Sequence, residues 1–300
     1  WGPDLVGLFV GSEGNFGIAA ESTVRVTPVP LAVRTLLADF TSLRWAGEGV
    51  SAIIAAGIVP AALEMMDQSC VCAVEDSVYA AGYPRDAAAV LLVEIDGRNT
   101  DAVVAETDVV IEILRKSGAR SVRSAASDAE RERLWQGRKK ASGAMGGLSR
   151  DLVVQDAVVP RSALPQVLET ICGIAQRYDL VVSNVFHAGD GNLHPNISFD
   201  ATNPELKARV EAASAEIMST CIAAGGTITG EHGVGIDKLR YMPMIFDAES
   251  LGAMHAVRKV FDPHERVNPG KVVPVHACRE WVSANPGAAP RDQRALARAS

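Results

Sequence analysis

The spacing of apolar and polar positions changes repeatedly along this chain, and each change predicts an element. Residues 33–40 and 61–66 read as strands, apolar runs bounded by turn residues, with a third over 91–95 after a polar stretch. Between the first two, Val50, Ile53 and Ile54 fall on one face of a helix over 48–57, stopped by Gly57 and Pro60. A helix over 101–116 brings Val103, Val110 and Leu114 into register and closes at Gly118. Ser127-Asp128-Ala129-Glu130 is a capping box, and its helix runs to Met145 with Leu134, Ala141 and Met145 on one stripe. Residues 153–159 read as a strand carrying Asp156. From Ser162 a helix aligns Leu164, Leu168, Ile171, Ala175 and Tyr178. A long helix over 204–224 follows on Leu206, Val210, Ala213, Ile217 and Cys221, ended by Gly225-Gly226, and a last one spans 248–260. Strands with segregated helices predict the α+β class, an antiparallel sheet with helices on one face.

Residues 5–27 break that rhythm, with apolar runs separated by Gly11, Gly14 and Gly17. The extended Thr27-Pro28-Val29-Pro30 then reads as a boundary. Three segments are expected: 1–30, 31–276, and an Ala-, Arg- and Pro-rich tail over 277–300 without periodicity, expected to be disordered. The chain starts at Trp1 inside a patterned region, so an upstream portion is expected to be missing. A net charge of −7 with no basic stripe argues against nucleic acid as a partner. No apolar run reaches the roughly 18 residues of a membrane span, and no signal peptide is evident. Five scattered cysteines (Cys70, Cys72, Cys172, Cys221 and Cys278) read as reduced thiols in a cytoplasmic setting.

The chemistry collects in two polar turns. In residues 185–196, Val-Phe-His-Ala-Gly-Asp-Gly-Asn-Leu-His-Pro-Asn, a β-rich run over 180–186 meets a turn and a second run over 196–199. Pairing of the two as a hairpin sets His187 opposite His194, about 5 Å apart at Cβ. The second cluster is Gly-Glu-His-Gly-Val-Gly at 230–235. Two histidines and a carboxylate form the donor pattern of a catalytic rather than a structural zinc site. The bland alternatives are a hairpin that merely tolerates its histidines and a solvated Glu231. Asp190 is either a turn-former or a carboxylate supporting the ligands. Adjacent residues of an extended segment face opposite ways, so one of Glu231 and His232 can ligate while the other faces a substrate. Arg138, inside an apolar helical stripe, needs an anion: a structural salt bridge or a substrate carboxylate. The loop at 11–17 is a plain glycine turn or an anion cradle, and it is not the dinucleotide fingerprint.

Three motifs together resemble the FAD-linked oxidase family: His-Ala-Gly-Asp-Gly-Asn-Leu-His-Pro (187–195), Gly-Thr-Ile-Thr-Gly-Glu-His-Gly-Val-Gly (226–235) and Asn-Pro-Gly-Lys (268–271). Gly-Ser-Glu-Gly-Asn-Phe-Gly-Ile (11–18) resembles the last segment of that family's FAD-binding domain, with Asn15-Phe16 where Thr-Leu is usual. The resemblance implies a vanillyl-alcohol-oxidase-type flavoprotein fold. Residues 31–276 would be the substrate-side cap and 1–30 the C-terminal remnant of the FAD-binding domain. It implies oxidation of a D-2-hydroxy acid of the glycolate or D-lactate type to the 2-oxo acid. His187, His194 and Glu231 would hold a divalent metal (zinc, manganese or iron). His232 would be the base, Arg138 the carboxylate clamp and Asn196 a further substrate contact. Gly11, Ser12, Glu13, Gly14, Asn15, Gly17, Ile18 and Asn268 would lie along FAD. Without the segment that grips the pyrophosphate, the chain alone is not expected to retain FAD. Electron-acceptor or iron–sulfur partner subunits fit the same family, and a homo-oligomer is open. A metal-dependent hydrolase using the same ligands, and a non-catalytic subunit or fragment, are the rival readings.

Overall fold

After a short helix, α1 (Leu5–Phe9), the first strand β1 (Ala32–Phe40) enters a sheet in which the central strands are apolar on both sides. The structure, a computed structural model, describes residues 2–274. These divide into two compact units: Thr27–Thr227, and a second made of both chain ends, up to Val26 and from Ile228.

In the first unit β1 pairs antiparallel with β3 (Ala89–Gly97), Leu36 opposite Val93 and Leu37 opposite Leu92. β3 pairs in turn with β2 (Ala62–Asp67), setting Met66 opposite Val90. Neighbouring residues along each strand point to opposite faces, so both faces are apolar and both need cover. Helices α2 (Leu43–Ala55) and α4 (Thr100–Lys116) cover one, where Gly49 lies against Leu114 and Phe40. On the other, α3 (Gln68–Glu75) and α5 (Asp128–Met145) pack with Leu37, Met66, Val90 and Leu92. The antiparallel α+β class is thus what forms, but the helices are not confined to one face. The reason is visible in β1–β3, which bury both sets of alternate side chains.

Helix α3 lies within the stretch read as polar. Asp67 caps it through Cys70 N at 2.8 Å, and Cys70, Val71, Ala73 and Val74 are buried. The edge strand β4 (Ser121–Ser124) adds to β1. The strand expected over 153–159 is two, β5 (Asp151–Val154) and β6 (Ala157–Val158), interrupted at Gln155 and Asp156. Helix α6 (Leu164–Arg177) packs closely on α2, with Pro165 backbone 3.2 Å from where Gly47 would carry a Cβ. Then follow β7 (Val181–Phe186), β8 (Asn192–Leu193), β9 (Pro195–Phe199) and α7 (Pro204–Ala223). The seven-stranded order is β4-β1-β3-β2-β7-β9-β5, and β6 pairs with β8 apart from it.

The second unit contains α1, α8 (Met242–Ile245) and α9 (Ala248–Phe261). Phe16 stacks on Phe261 with ring centroids 4.7 Å apart. Buried Arg258 donates to the carbonyls of Val267, Asn268 and Lys271. Residues 228–274 and the N-terminal segment therefore pack together, because these contacts and those of Glu13 join them. The tail over 277–300 and Cys278 lie outside the described residues. Among those described, Cys70, Cys72, Cys172 and Cys221 are free thiols, and no helix is long and apolar enough to cross a membrane.

Candidate metal and carboxylate site

The hairpin forms as predicted, but its register is two residues away from the one that sets the histidines face to face. β7 and β9 pair Asn184 with Pro195, and the same register continues to a bridge between His187 and Asn192. His194 is thus the diagonal neighbour of His187, on the same face. The slip is built by the turn: a 3-10 segment, Ala188–Asp190, followed by Gly191 at φ 74°. A Cβ on Gly191 would lie 2.2 Å from the Val159 carbonyl oxygen, so only glycine fits there. The two imidazoles still meet, with centroids 5.4 Å apart and planes at 87°. Asp190 is part of the turn itself, its N–H donating to the His187 carbonyl.

Each imidazole is held through Nδ1. His187 Nδ1 is 2.9 Å from Glu64 Oε1. His194 Nδ1 is 3.2 Å from the Gln155 carbonyl and 3.8 Å from Asp156 Oδ1, in a fully buried carboxylate. Nδ1 engagement by a carboxylate or a carbonyl is the usual support for a histidine that ligates metal through Nε2. The interruption between β5 and β6 is what turns Gln155 and Asp156 to this purpose. Asp156 was visible in the sequence without a role. Glu64 was missed; its signal was a single acid inside the buried strand Ala-Leu-Glu-Met-Met.

Arg138 projects from α5 onto that same acid, with Nε 2.9 Å and Nη2 2.5 Å from Glu64 Oε2. The anion that faces Arg138 is thus a carboxylate of the protein itself. The buried Asn196 amide donates to the carbonyls of Ser183 and His194, at 3.1 and 2.6 Å, and so braces the hairpin. Below the hairpin Asp67 Oδ2 accepts from Asn184 N and Nδ2, both at 2.8 Å. Burial pushes the Asp67 carboxyl up to about 6 despite these bonds. A cleft of about 120 Å³ opens beside Glu64 and His187, lined also by Arg161, Gly189 and Asp190.

Glu231 and His232 belong to the other unit, with His232 Nε2 3.7 Å from Glu231 Oε1 and both side chains about half exposed. Their loop is fixed by Glu13, whose carboxylate accepts from Val234 N at 2.6 Å and Gly235 N at 2.8 Å. Gly233, at φ 87°, makes room: a Cβ would come within 2.6 Å of the Glu13 carboxyl carbon. Asn268 Nδ2 donates to the Glu13 carbonyl, and Asn15 Nδ2 to that of Ser12. The side chains of Glu13 and Asn268, expected along a cofactor, are engaged with the protein. Gly11, Gly14 and Gly17 all have positive φ, and nothing lies within 4 Å of a Cβ built on Gly11. That backbone is open to close approach by a ligand.

Comparison with known proteins matches residues 29–272 to the family described as "FAD linked oxidases, C-terminal domain". The chain is 48% identical over 281 residues to "Glycolate oxidase subunit GlcD" of Escherichia coli, covering 93% of this chain and 56% of that protein. The Bacillus subtilis protein of the same name is 43% identical over 283 residues, covering 94% and 60% respectively. "D-lactate dehydrogenase [cytochrome], mitochondrial" of Arabidopsis thaliana is 30% identical over 280 residues, covering 92% and 48%. The chain thus spans about half the length of these relatives. Among solved structures, p-cresol methylhydroxylase with substrate bound aligns at a TM-score of 0.69 and 15% identity, covering 90% of this chain and 58% of the other. That likeness concerns the fold.

Proposed function

Because this chain belongs to the FAD linked oxidases, of which it carries the C-terminal domain, we propose that it is the substrate-side portion of an oxidoreductase acting on a D-2-hydroxy acid. The substrate class is that of glycolate or D-lactate, and the product is the 2-oxo acid. The observation that carries this reading is the pair of imidazoles, 5.4 Å apart, each engaged through Nδ1 and so oriented to offer Nε2 to one ion.

His187, His194 and Glu231 would hold a divalent metal, and the donor set suits zinc, manganese or iron. When bound, the metal supplies Lewis acidity toward the C2 hydroxyl and the flavin supplies the hydride acceptor. The protein's own residues do the rest. His232 accepts the hydroxyl proton. Arg138, held in plane by Glu64, orients the substrate carboxylate, and the braced amide of Asn196 keeps the hairpin in shape beside it. The open backbone at Gly11, with Ser12, Glu13, Gly14, Asn15, Gly17, Ile18 and Asn268, would run along the flavin. Electron-acceptor subunits, and a cytoplasmic setting in keeping with the free thiols, complete the proposal.

The test is dye reduction by the flavin-loaded protein. Turnover driven by D-lactate or glycolate and abolished by a chelator is expected. Ester or phosphoester hydrolysis that needs no flavin would replace this reading with a metal-dependent hydrolase. Metal binding without turnover of any kind would leave a subunit role.

A further inference from the structure

We propose that Glu64 is a positioning residue for this reaction: one carboxylate that orients His187 for the metal and Arg138 for the substrate carboxylate. The proposal deepens the functional reading above and rests on it for the identity of the two ligands.

The sheet places Glu64 there. β2 pairs with β7 so that Met66 faces Val185 and Met65 faces Phe186. One step further, the same register brings Glu64 level with His187, on the face that α5 covers with Arg138. The two oxygens are divided between partners: Oε1 lies 2.9 Å from His187 Nδ1, and Oε2 takes Nε and Nη2 of Arg138. A carboxylate in an ion pair only accepts, so the proton between it and His187 sits on Nδ1. Nε2 is then the nitrogen His187 presents to a metal. The guanidinium, gripped along its Nε edge, has its plane fixed as well.

Nothing in the sheet asks for an acid at this position. Glu64 is 8% exposed between Leu63 and Met65, where an apolar side chain serves packing at least as well as a buried ion pair does. What the acid adds is a rigid link between the metal side and the substrate side of the site. A disturbance of Arg138 should therefore be felt at His187.

The experiment uses the 300-residue chain, with zinc as the probe. Long-range ¹H–¹⁵N correlation of the metal-free protein reads the His187 tautomer, and calorimetric titration reads zinc affinity. The Nδ1–H tautomer is expected in the wild type and its loss in Glu64→Gln, with zinc binding weakened roughly 10- to 100-fold. Arg138→Met should perturb the same His187 signals. An unchanged tautomer and unchanged zinc affinity in Glu64→Gln overturn the proposal. If Glu64→Gln does not fold, Glu64→Asp must loosen zinc binding by itself, since it keeps the charge and shortens the reach; wild-type affinity in that variant is equally fatal. A wild type that binds no zinc but shows the tautomer change would remove the metal assignment made above while leaving the hold of Glu64 on His187 intact.

Discussion

Arg138 and Glu64 close a two-pronged ion pair on a single oxygen, Arg138 Nε and Nη2 lying 2.9 and 2.5 Å from Glu64 Oε2. Both side chains are nearly buried, at 12% and 10% exposed, so removing one strands the other in a poor solvent for charge. Arg138→Met is expected to destabilise the fold by about 3 kcal/mol in urea denaturation. The double variant Arg138→Met/Glu64→Leu should recover most of that loss, because no unpaired charge remains. On the proposed function, Arg138→Met should raise KM for the hydroxy acid in the flavin-loaded protein. A KM left unchanged would return Arg138 to a purely structural salt bridge.

The diagonal placement of the histidines makes a separate prediction about the metal. In the proposed site His194→Ala removes a ligand rather than a ligand's support. Its effect on zinc affinity should therefore exceed the roughly 10- to 100-fold expected from losing a supporting partner. Elemental analysis after gel filtration should find the variant depleted. Wild-type metal content in His194→Ala would strike it from the ligand set.

Gly191 tests whether the turn sets that geometry. It combines φ 74° with a Cβ position 2.2 Å from the Val159 carbonyl, whereas Gly11, at φ 80°, has nothing within 4 Å of its Cβ position. Gly11→Ala should cost only the backbone strain, about 1–3 kcal/mol. Gly191→Ala adds a clash with fixed backbone, so its loss should be larger, and the histidine pair should lose zinc along with the turn. Thermal unfolding and zinc titration of the two variants side by side check this. Equal losses would mean the Val159 contact is easily relieved.

Much of this architecture is written in local periodicity. The stripes of α4, α5 and α7 and the N-cap at Ser127, whose hydroxyl accepts from Glu130 N, appear where the sequence puts them, although the Glu130 carboxylate accepts from Ala126 N rather than from Ser127 N. What local pattern does not carry is pairing at a distance. Glu64 looks like a stray acid until β2 is laid against β7 and α5 across it. The two-residue slip at His187 depends on a 3-10 turn that Gly-Asp-Gly allows but does not dictate. Helix α3 escaped because eight residues with bunched apolar positions give little periodicity to read. The second apolar face of β1–β3 was hidden likewise, since a fully buried strand shows no alternation. Glu13 is the clearest case: it lies in a glycine loop resembling a cofactor segment, yet its partners are Val234 and Gly235.

Asp67 links α3 to the histidine hairpin, and its environment gives the fold a pH dependence. Its Oδ1 caps Cys70 N, while its Oδ2 accepts both donors of Asn184, three residues before His187. Burial is the largest influence and pushes the carboxyl up; the hydrogen bonds oppose it without overcoming it, and the group titrates at about 6 against an ordinary 3.8. The folded state then holds the proton more tightly than the unfolded state does. The stability Asp67 contributes is full below pH 3.8 and is lost as pH rises through about 6. A gap of about 2 in pH corresponds to about 3 kcal/mol by pH 7. Asp67→Asn cannot titrate, and whatever it sacrifices at Asn184 is the same at every pH. Measured by urea denaturation, the stability of Asp67→Asn relative to wild type should therefore improve by roughly 2–3 kcal/mol between pH 4 and pH 7. Carboxyl ¹³C titration of the wild type should place the Asp67 midpoint near 6. A difference between the two proteins that stays flat across that window, with the midpoint near 4, would mean that the bonds from Cys70 and Asn184 outweigh the burial.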